Sequence, residues 1–338
     1  MHFKSCYLCT VEKSFSERIF LNHSSEEFNH LALAIFQYQI STNPVYARFV
    51  KSLKKSGESI RHFEEIPFMP VEFFKNHTIL CGNETPEEVF KSSGTTGMMQ
   101  SKHPVKEVSI YQESFRKAFE LFYGAAEDTI ILALLPSYLE REGSSLIYMV
   151  EDLIRQSNNT SSGYFLYNHA DLFTTLKQLR QSSKKVVLIG VTYALLDFVE
   201  TYQISFPELI VMETGGMKGK RKEMIREELH KQLSEGFGVP FIHSEYGMTE
   251  LLSQAYSDGN GVFRCPPWMR IAIRDINDPL SLLKGGVTGG INVIDLANLH
   301  SCSFIATQDL GKRQEDGSFE VIGRFDNSDI RGCNLLVQ

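Results

Sequence analysis

The apolar positions along the chain follow two periods. Residues 26–39 (EEFNHLALAIFQYQ) place Phe28, Leu31, Ala32, Ile35 and Phe36 at helical spacing. A second helix is expected over 45–55, ended near Gly57, and Pro67 and Pro70 then punctuate an extended stretch. From residue 105 onward helices and strands alternate. Helices are predicted at 107–122, 144–156, 171–181 and 193–202, and strands at 129–135, 164–167, 185–191 and 208–213. RKEMIREELHKQLSEGFG (221–238) reads as an amphipathic helix with Met224, Ile225, Leu229 and Leu233 on one face, stopped by Gly236 and Gly238. FIHSEYG follows as strand and loop.

Such alternation implies crossover units, so a mostly parallel sheet covered by helices is expected. After about residue 260 the pattern becomes short strands separated by glycines: MRIAIRD, GGINVIDL, SCSFIATQDLG and GSFEVIGRF. The expected organisation is a helical segment over 1–60, an α/β core over 61–260, a β-rich subdomain over 261–326 and a tail over 327–338.

Composition narrows the class. Of 338 residues, 42% are hydrophobic and 22% charged, as in a globular protein with a sizeable core. A net charge of −7 is the reverse of the basic surplus of a general nucleic-acid binder. No stretch approaches the roughly 18 apolar residues of a membrane span, and the N-terminus lacks the apolar core and cleavage site of a signal peptide. The six cysteines are scattered, and Cys6-x-x-Cys9 has no second pair at zinc spacing. A reduced, cytoplasmic protein is expected.

Ser92, Ser93, Gly94, Thr95, Thr96 and Gly97 form six consecutive small or hydroxylated residues. Glycines there permit turns that expose successive backbone N–H groups to an anion, and the hydroxyls add donors. A flexible polar turn would read the same way. HSEYGMTE (243–250) supplies a second candidate. The Tyr246 ring suits stacking on a nucleobase, and the Thr249 hydroxyl suits a phosphate. Glu250 suits Mg²⁺, which takes oxygen ligands. A loop with a satisfied carboxylate is the alternative.

SSGTTG followed by YGMTE resembles the adenylate-forming superfamily of acyl- and aryl-CoA ligases. TGG (214–216), TQDLG (307–311) and GRFDNSDIRG (323–332) resemble, in order, that superfamily's adenine loop, ribose-binding T-G-D motif and hinge. LPSYLEREGSSLIYMV (135–150) and the ending GRFDNSDIRGCNLL make the chain similar to the fatty-acyl-protein synthetases of bacterial bioluminescence.

The resemblance implies an ATP- and Mg²⁺-dependent ligase that forms acyl-AMP from a fatty acid or other carboxylic acid. It then loads its own cysteine and delivers the acyl group to a protein partner: a reductase, transferase or carrier. Ser92 to Gly97 would hold phosphates, and Thr214, Gly215, Gly216, Tyr246, Gly247 and Met248 the adenine. Asp309 would accept from the ribose, with Arg324 beside it. Thr249 and Glu250 would serve the α-phosphate and Mg²⁺. Lys102 would stand for the lysine that this loop carries, although Met98, Met99, Gln100 and Ser101 intervene. Cys333 matches the acyl-carrying cysteine, and an extended tail gives it a reach of about 24 Å from the hinge. The chain ends soon after Asp326, so the superfamily's C-terminal lid domain is expected to be absent.

His243 and His103 are candidate bases, each with a hydrogen-bonded structural role as the alternative. Ser144, Ser145 and Tyr148 would line the acyl site by resemblance, and Tyr193, Leu195, Leu196 and Phe198 are either tunnel or core. Transfer to CoA or a carrier protein, and a non-catalytic nucleotide-binding subunit, are the rival functions. A serine hydrolase is disfavoured because no G-x-S-x-G elbow occurs.

Overall fold

A computed structural model describes residues 15–21, 23–93, 99–136, 142–215, 221 and 224–325. The chain divides into two compact units. One comprises Met1–Ser114, Thr249–Ser253 and Cys265–Gln338, and the other Phe115–Met248 and Gln254–Arg264. The chain therefore passes from the second unit to the first between Met248 and Thr249.

The first unit opens with the helix Ser25–Thr42. Its start is a reciprocal cap: the Ser24 hydroxyl accepts from the Glu27 N–H at 3.2 Å, and the Ser24 N–H donates to the Glu27 carboxylate at 2.9 Å. Phe28, Leu31, Ala32, Ile35 and Phe36 are all fully buried, as their spacing predicts. Full burial of each large member contributes about 1.5–3 kcal/mol. Asn43 ends this helix and caps the next, Pro44–Ser52, accepting from the Val45 and Tyr46 N–H groups at 3.0 Å.

An antiparallel sheet forms the body of this unit. Its neighbours run in the order Phe319–Arg324, Phe304–Arg313, Thr288–Asp295, Met269–Arg274, Leu282–Leu283, and Met69–Pro70 pairs parallel to Phe304–Arg313. The four glycine-separated segments after residue 260 are thus strands of one sheet. The sequence pattern missed a separate hairpin, Glu88–Lys91 with Lys102–Val105. Its strands are four residues long, and Pro104 in the second obscures the strand signal.

The second unit holds a six-stranded sheet in the order Gly163–Tyr164, Thr129–Leu134, Lys185–Val191, Ile210–Thr214, His243–Tyr246, Ala255–Ser257. All pairings are parallel except the last. Every residue of Thr129–Leu134 is buried, which explains its unbroken apolar run. The crossovers are the helices Ser145–Ser157, His169–Leu179, Thr192–Thr201 and Arg226–Phe237.

Two details depart from the expected 221–238 helix. It begins at Arg226, with Ile225 extended as its cap and 67% exposed, so Met224 and Ile225 lie outside the apolar face. Glu227 and Glu228 mark the start, since carboxylates favour the positive end of a helix. Gly236 does not stop the helix but lies within it. A Cβ there would come 2.5 Å from Val199 Cβ, so glycine lets this helix approach Thr192–Thr201. Gly238 is the terminator, left-handed at φ +64. No helix among the described residues is long and apolar enough to cross a membrane.

Candidate active site

In the first unit the hairpin brings two distant motifs together. Ser92 and Ser101 close its neck: the Ser92 N–H donates to the Ser101 carbonyl at 3.1 Å, and the Ser101 N–H donates to the Ser92 hydroxyl at 2.9 Å. Ser93 and Lys102 are exposed at this neck. Gly94, Thr95, Thr96 and Gly97 lie outside the described residues. The Ser101 side chain hydrogen-bonds Glu250. Two residues further on, His103 reaches Thr249. The hairpin neck and Thr249–Glu250 therefore meet within one unit.

His103 is 1% exposed, and burial holds it down to about 4. Its Nδ1 lies 2.8 Å from the Thr249 carbonyl and its Nε2 2.9 Å from the Ser301 hydroxyl. A carbonyl only accepts, so Nδ1 carries the proton and Nε2 of the neutral ring accepts from Ser301. The Phe74 ring packs edge-on against it, with centroids 5.2 Å apart. Of its two expected roles, the structural one describes His103: both nitrogens are occupied.

Glu250 is 7% exposed. Burial pushes its carboxyl up, while the Ser101 hydrogen bond and the charges of Arg324 and Lys75 oppose the rise. Its own carbonyl accepts from Asn298 Nδ2 at 2.8 Å. It makes no ion pair among the described residues.

Asp309 and Arg324 lie directly opposite on the neighbouring strands Phe304–Arg313 and Phe319–Arg324. Arg324 Nε donates to the Asp309 carboxylate at 3.0 Å. The Asp309 N–H donates to the Thr307 hydroxyl at 3.1 Å. Gln308, where the superfamily pattern has glycine, turns its side chain to Glu72. Cross-strand register thus pairs Asp309 with Arg324.

The candidates on Ile210–Thr214, His243–Tyr246 and the residues after each lie in the second unit, up to Met248. Thr214 ends Ile210–Thr214 and donates to Glu245 at 2.5 Å, its register partner on the next strand. The Gly215 carbonyl accepts from the Thr192 hydroxyl at 3.0 Å, and Gly216 lies outside the described residues. Tyr246 is 8% exposed, its ring 6.0 Å from and edge-on to Phe263. Gly247 is exposed and Met248 half-buried. His243 is half-buried, with Nδ1 3.5 Å from the Tyr123 hydroxyl, and burial lowers it. It belongs to this unit and not to the one carrying Glu250.

Ser144 precedes the helix Ser145–Ser157, and Ser145 is buried on it. Leu195, Leu196 and Phe198 are core, with Phe198 stacked on Phe237 at 5.5 Å. Cys333 lies outside the described residues.

The sequence pattern of the family described as "Acyl-protein synthetase, LuxE" matches residues 16–338. The chain belongs to that family. No curated protein matches it. Among solved structures the chain is similar to ATP-bound MatB from Rhodopseudomonas palustris, at 16% identity and TM-score 0.53, covering 72% of this chain and 49% of that one. It is also similar to 2-hydroxyisobutyryl-CoA ligase in complex with 2-HIB-AMP and CoA, at 14% identity and TM-score 0.68, covering 90% of this chain and 70% of that one. The chain spans about half the length of MatB. These likenesses show that the LuxE-family chain has an α/β ligase fold.

The sequence motifs did not reveal Ser101, Asn298, Asp295 or Glu245. Polar residues inside the buried run INVIDLANLH (291–300) were the available signal for Asp295 and Asn298.

Proposed function

We propose that this LuxE-family chain activates a carboxylic acid, a long-chain fatty acid by resemblance, as acyl-AMP in the cytoplasm. It then carries the acyl group on Cys333 for a partner reductase, transferase or carrier. The observation behind the reading is Glu250: a carboxylate buried in the protein, without an ion pair among the described residues and tied to the neck of a serine- and threonine-rich loop. A buried carboxylate is costly unless hydrogen-bond donors or a cation meet it.

The donor set fits a cation delivered with a nucleotide. No group of three or more His, Cys, Asp or Glu residues able to hold a metal exists among the described residues. Mg²⁺ commonly takes one or two protein carboxylates and completes its shell with phosphate oxygens and water. Glu250 would hold it, and when bound it would neutralise phosphate charge.

In the first step a carboxylate oxygen of the acid attacks the α-phosphorus. The new O–P bond forms as the bond to pyrophosphate breaks. The chain's part is placement and charge. Ser92, Ser93 and the loop that follows them donate to phosphate oxygens, with Lys102 adding positive charge, and the Thr249 hydroxyl donates to the α-phosphate. Asp309 accepts from the ribose hydroxyls with Arg324 beside it, and Thr214 to Gly216 with Tyr246 to Met248 serve the base. In the second step the Cys333 thiolate attacks the acyl carbonyl. A C–S bond forms, the C–O bond to AMP breaks, and AMP leaves.

Intact-protein mass after incubation with ATP, Mg²⁺ and fatty acids tests both steps. Wild type gains one acyl group, Cys333→Ser gains none, and both support pyrophosphate exchange. Glu250→Gln supports neither. An acyl gain retained in Cys333→Ser refutes the cysteine assignment. AMP release that needs added CoA moves the acceptor off this chain.

A further inference from the structure

Thr249–Ser253 is irregular and largely buried, with no helix or strand to satisfy its backbone. Side chains do so instead. Asp295, at the end of the strand Thr288–Asp295, is fully buried. Its Oδ2 accepts from the Leu252 N–H at 2.8 Å and the Ser253 N–H at 2.9 Å. Its Oδ1 accepts from the Ser253 hydroxyl at 2.6 Å and the Ala297 N–H at 3.1 Å. Trp268 Nε1 donates to the same Ser253 hydroxyl at 3.0 Å. The turn begun by Asp295 also delivers Asn298, which donates to the Glu250 carbonyl at 2.8 Å.

We propose that Asp295 is a positioning residue: its carboxylate clamps two successive peptide N–H groups and so fixes the direction in which Glu250, two residues earlier, presents its side chain. The inference rests on Glu250 facing Mg²⁺ and phosphate. Two N–H groups on one oxygen set the orientation of the Leu252 and Ser253 peptide planes. The Asn298 and His103 bonds to the carbonyls of Glu250 and Thr249 fix the planes before them. The segment is then held at four consecutive points, with little room for Glu250 to swing. Packing alone does not require a carboxylate here, because it is buried without an ion pair among the described residues. What requires it is the donor set. Three backbone N–H groups and a hydroxyl need two acceptor oxygens, and asparagine offers one oxygen and an NH₂ group.

The test is Asp295→Asn, with Ile35→Val as a folded control weakened in the same unit. ATP binding is measured by calorimetry with and without Mg²⁺, alongside pyrophosphate exchange. The expected result is that the Mg²⁺-dependent gain in ATP affinity shrinks about tenfold or more in Asp295→Asn. The fatty-acid KM stays at the wild-type value, and Ile35→Val keeps the full gain. An unchanged gain and exchange rate in Asp295→Asn, with Glu250→Gln lacking both, overturns the positioning role alone. Wild-type binding and exchange in Glu250→Gln overturn the reading of Glu250 and this inference with it. Should Asp295→Asn fail to fold, Asn298→Ala removes only the side-chain bond to the Glu250 carbonyl and is expected to lose part of the same gain. A full gain in Asn298→Ala then overturns the clamp.

Discussion

His103 makes folding stability depend on pH in a calculable way. Burial holds the folded imidazole down to about 4, against an ordinary value of 6.5. In the unfolded chain it titrates near that ordinary value, so between about pH 4 and 6.5 the unfolded state binds one more proton. Stability therefore falls as pH drops through this window and is flat above it. The gap is worth on the order of 3 kcal/mol at about 1.4 kcal/mol per pH unit. That is a large share of the roughly 5–15 kcal/mol that separates folded from unfolded proteins. The variant is His103→Gln, whose amide can donate to the Thr249 carbonyl without titrating. The assay is urea unfolding between about pH 4.5 and 7.5. Carboxylates contribute acid sensitivity to both proteins, so the informative quantity is the difference in slope. The expected result is a wild-type curve steeper by up to one proton below about pH 6.5 and parallel curves above it. Parallel curves throughout would refute the buried, neutral imidazole.

Two further outcomes follow from packing and register. Gly236→Ala gains about 1 kcal/mol of helix propensity but forces a methyl onto Val199, costing about 1–3 kcal/mol. The unfolding midpoint is expected to fall and to recover in Gly236→Ala/Val199→Ala, and a midpoint at or above wild type in the single variant contradicts the close approach. Arg324→Gln removes an ion pair whose arginine is 75% exposed, so stability is expected to change by less than about 1 kcal/mol. ATP affinity by calorimetry is nevertheless expected to fall about tenfold, because Asp309 loses its cross-strand partner. Unchanged affinity would separate Arg324 from the nucleotide.

The alternating pattern of the second unit was legible because parallel strands buried on both faces write unbroken apolar runs, as in TIILALL and KVVLIGV. The order of motifs was legible because each keeps its residue types together. Side-chain partners were not. Nothing local in TQDLG or GRF says that Asp309 faces Arg324, since that follows from strand register across a bulge between Leu310 and Gly311. Nor does HSEYGMTE show that the Tyr246 ring lies buried and edge-on to Phe263. The Gly236 and Ile225 expectations failed because a helix pattern shows neither its starting residue nor a close approach by another helix.

The same limit applies to the N-terminal helix, whose periodicity gives its apolar face but not its polar contribution. Gln39 is a fully buried amide in that helix. Its Nε2 lies 2.9 Å from the Asn298 carbonyl, 3.0 Å from the Leu299 carbonyl and 3.0 Å from the Ser303 hydroxyl, with its two hydrogens shared among these acceptors, and its Oε1 accepts from the Ser303 N–H at 3.0 Å. Asn43 adds a donation to the Ser301 carbonyl at 2.9 Å, and Ser301 is the residue that meets His103. Two buried amides thus hold the turn that supplies Asn298 to Glu250 and Ser301 to His103. A buried amide is costly unless every group is satisfied, so these bonds select one placement of the turn. The helix Ser25–Thr42 therefore acts on the Glu250 segment through hydrogen bonds as well as through the core it fills.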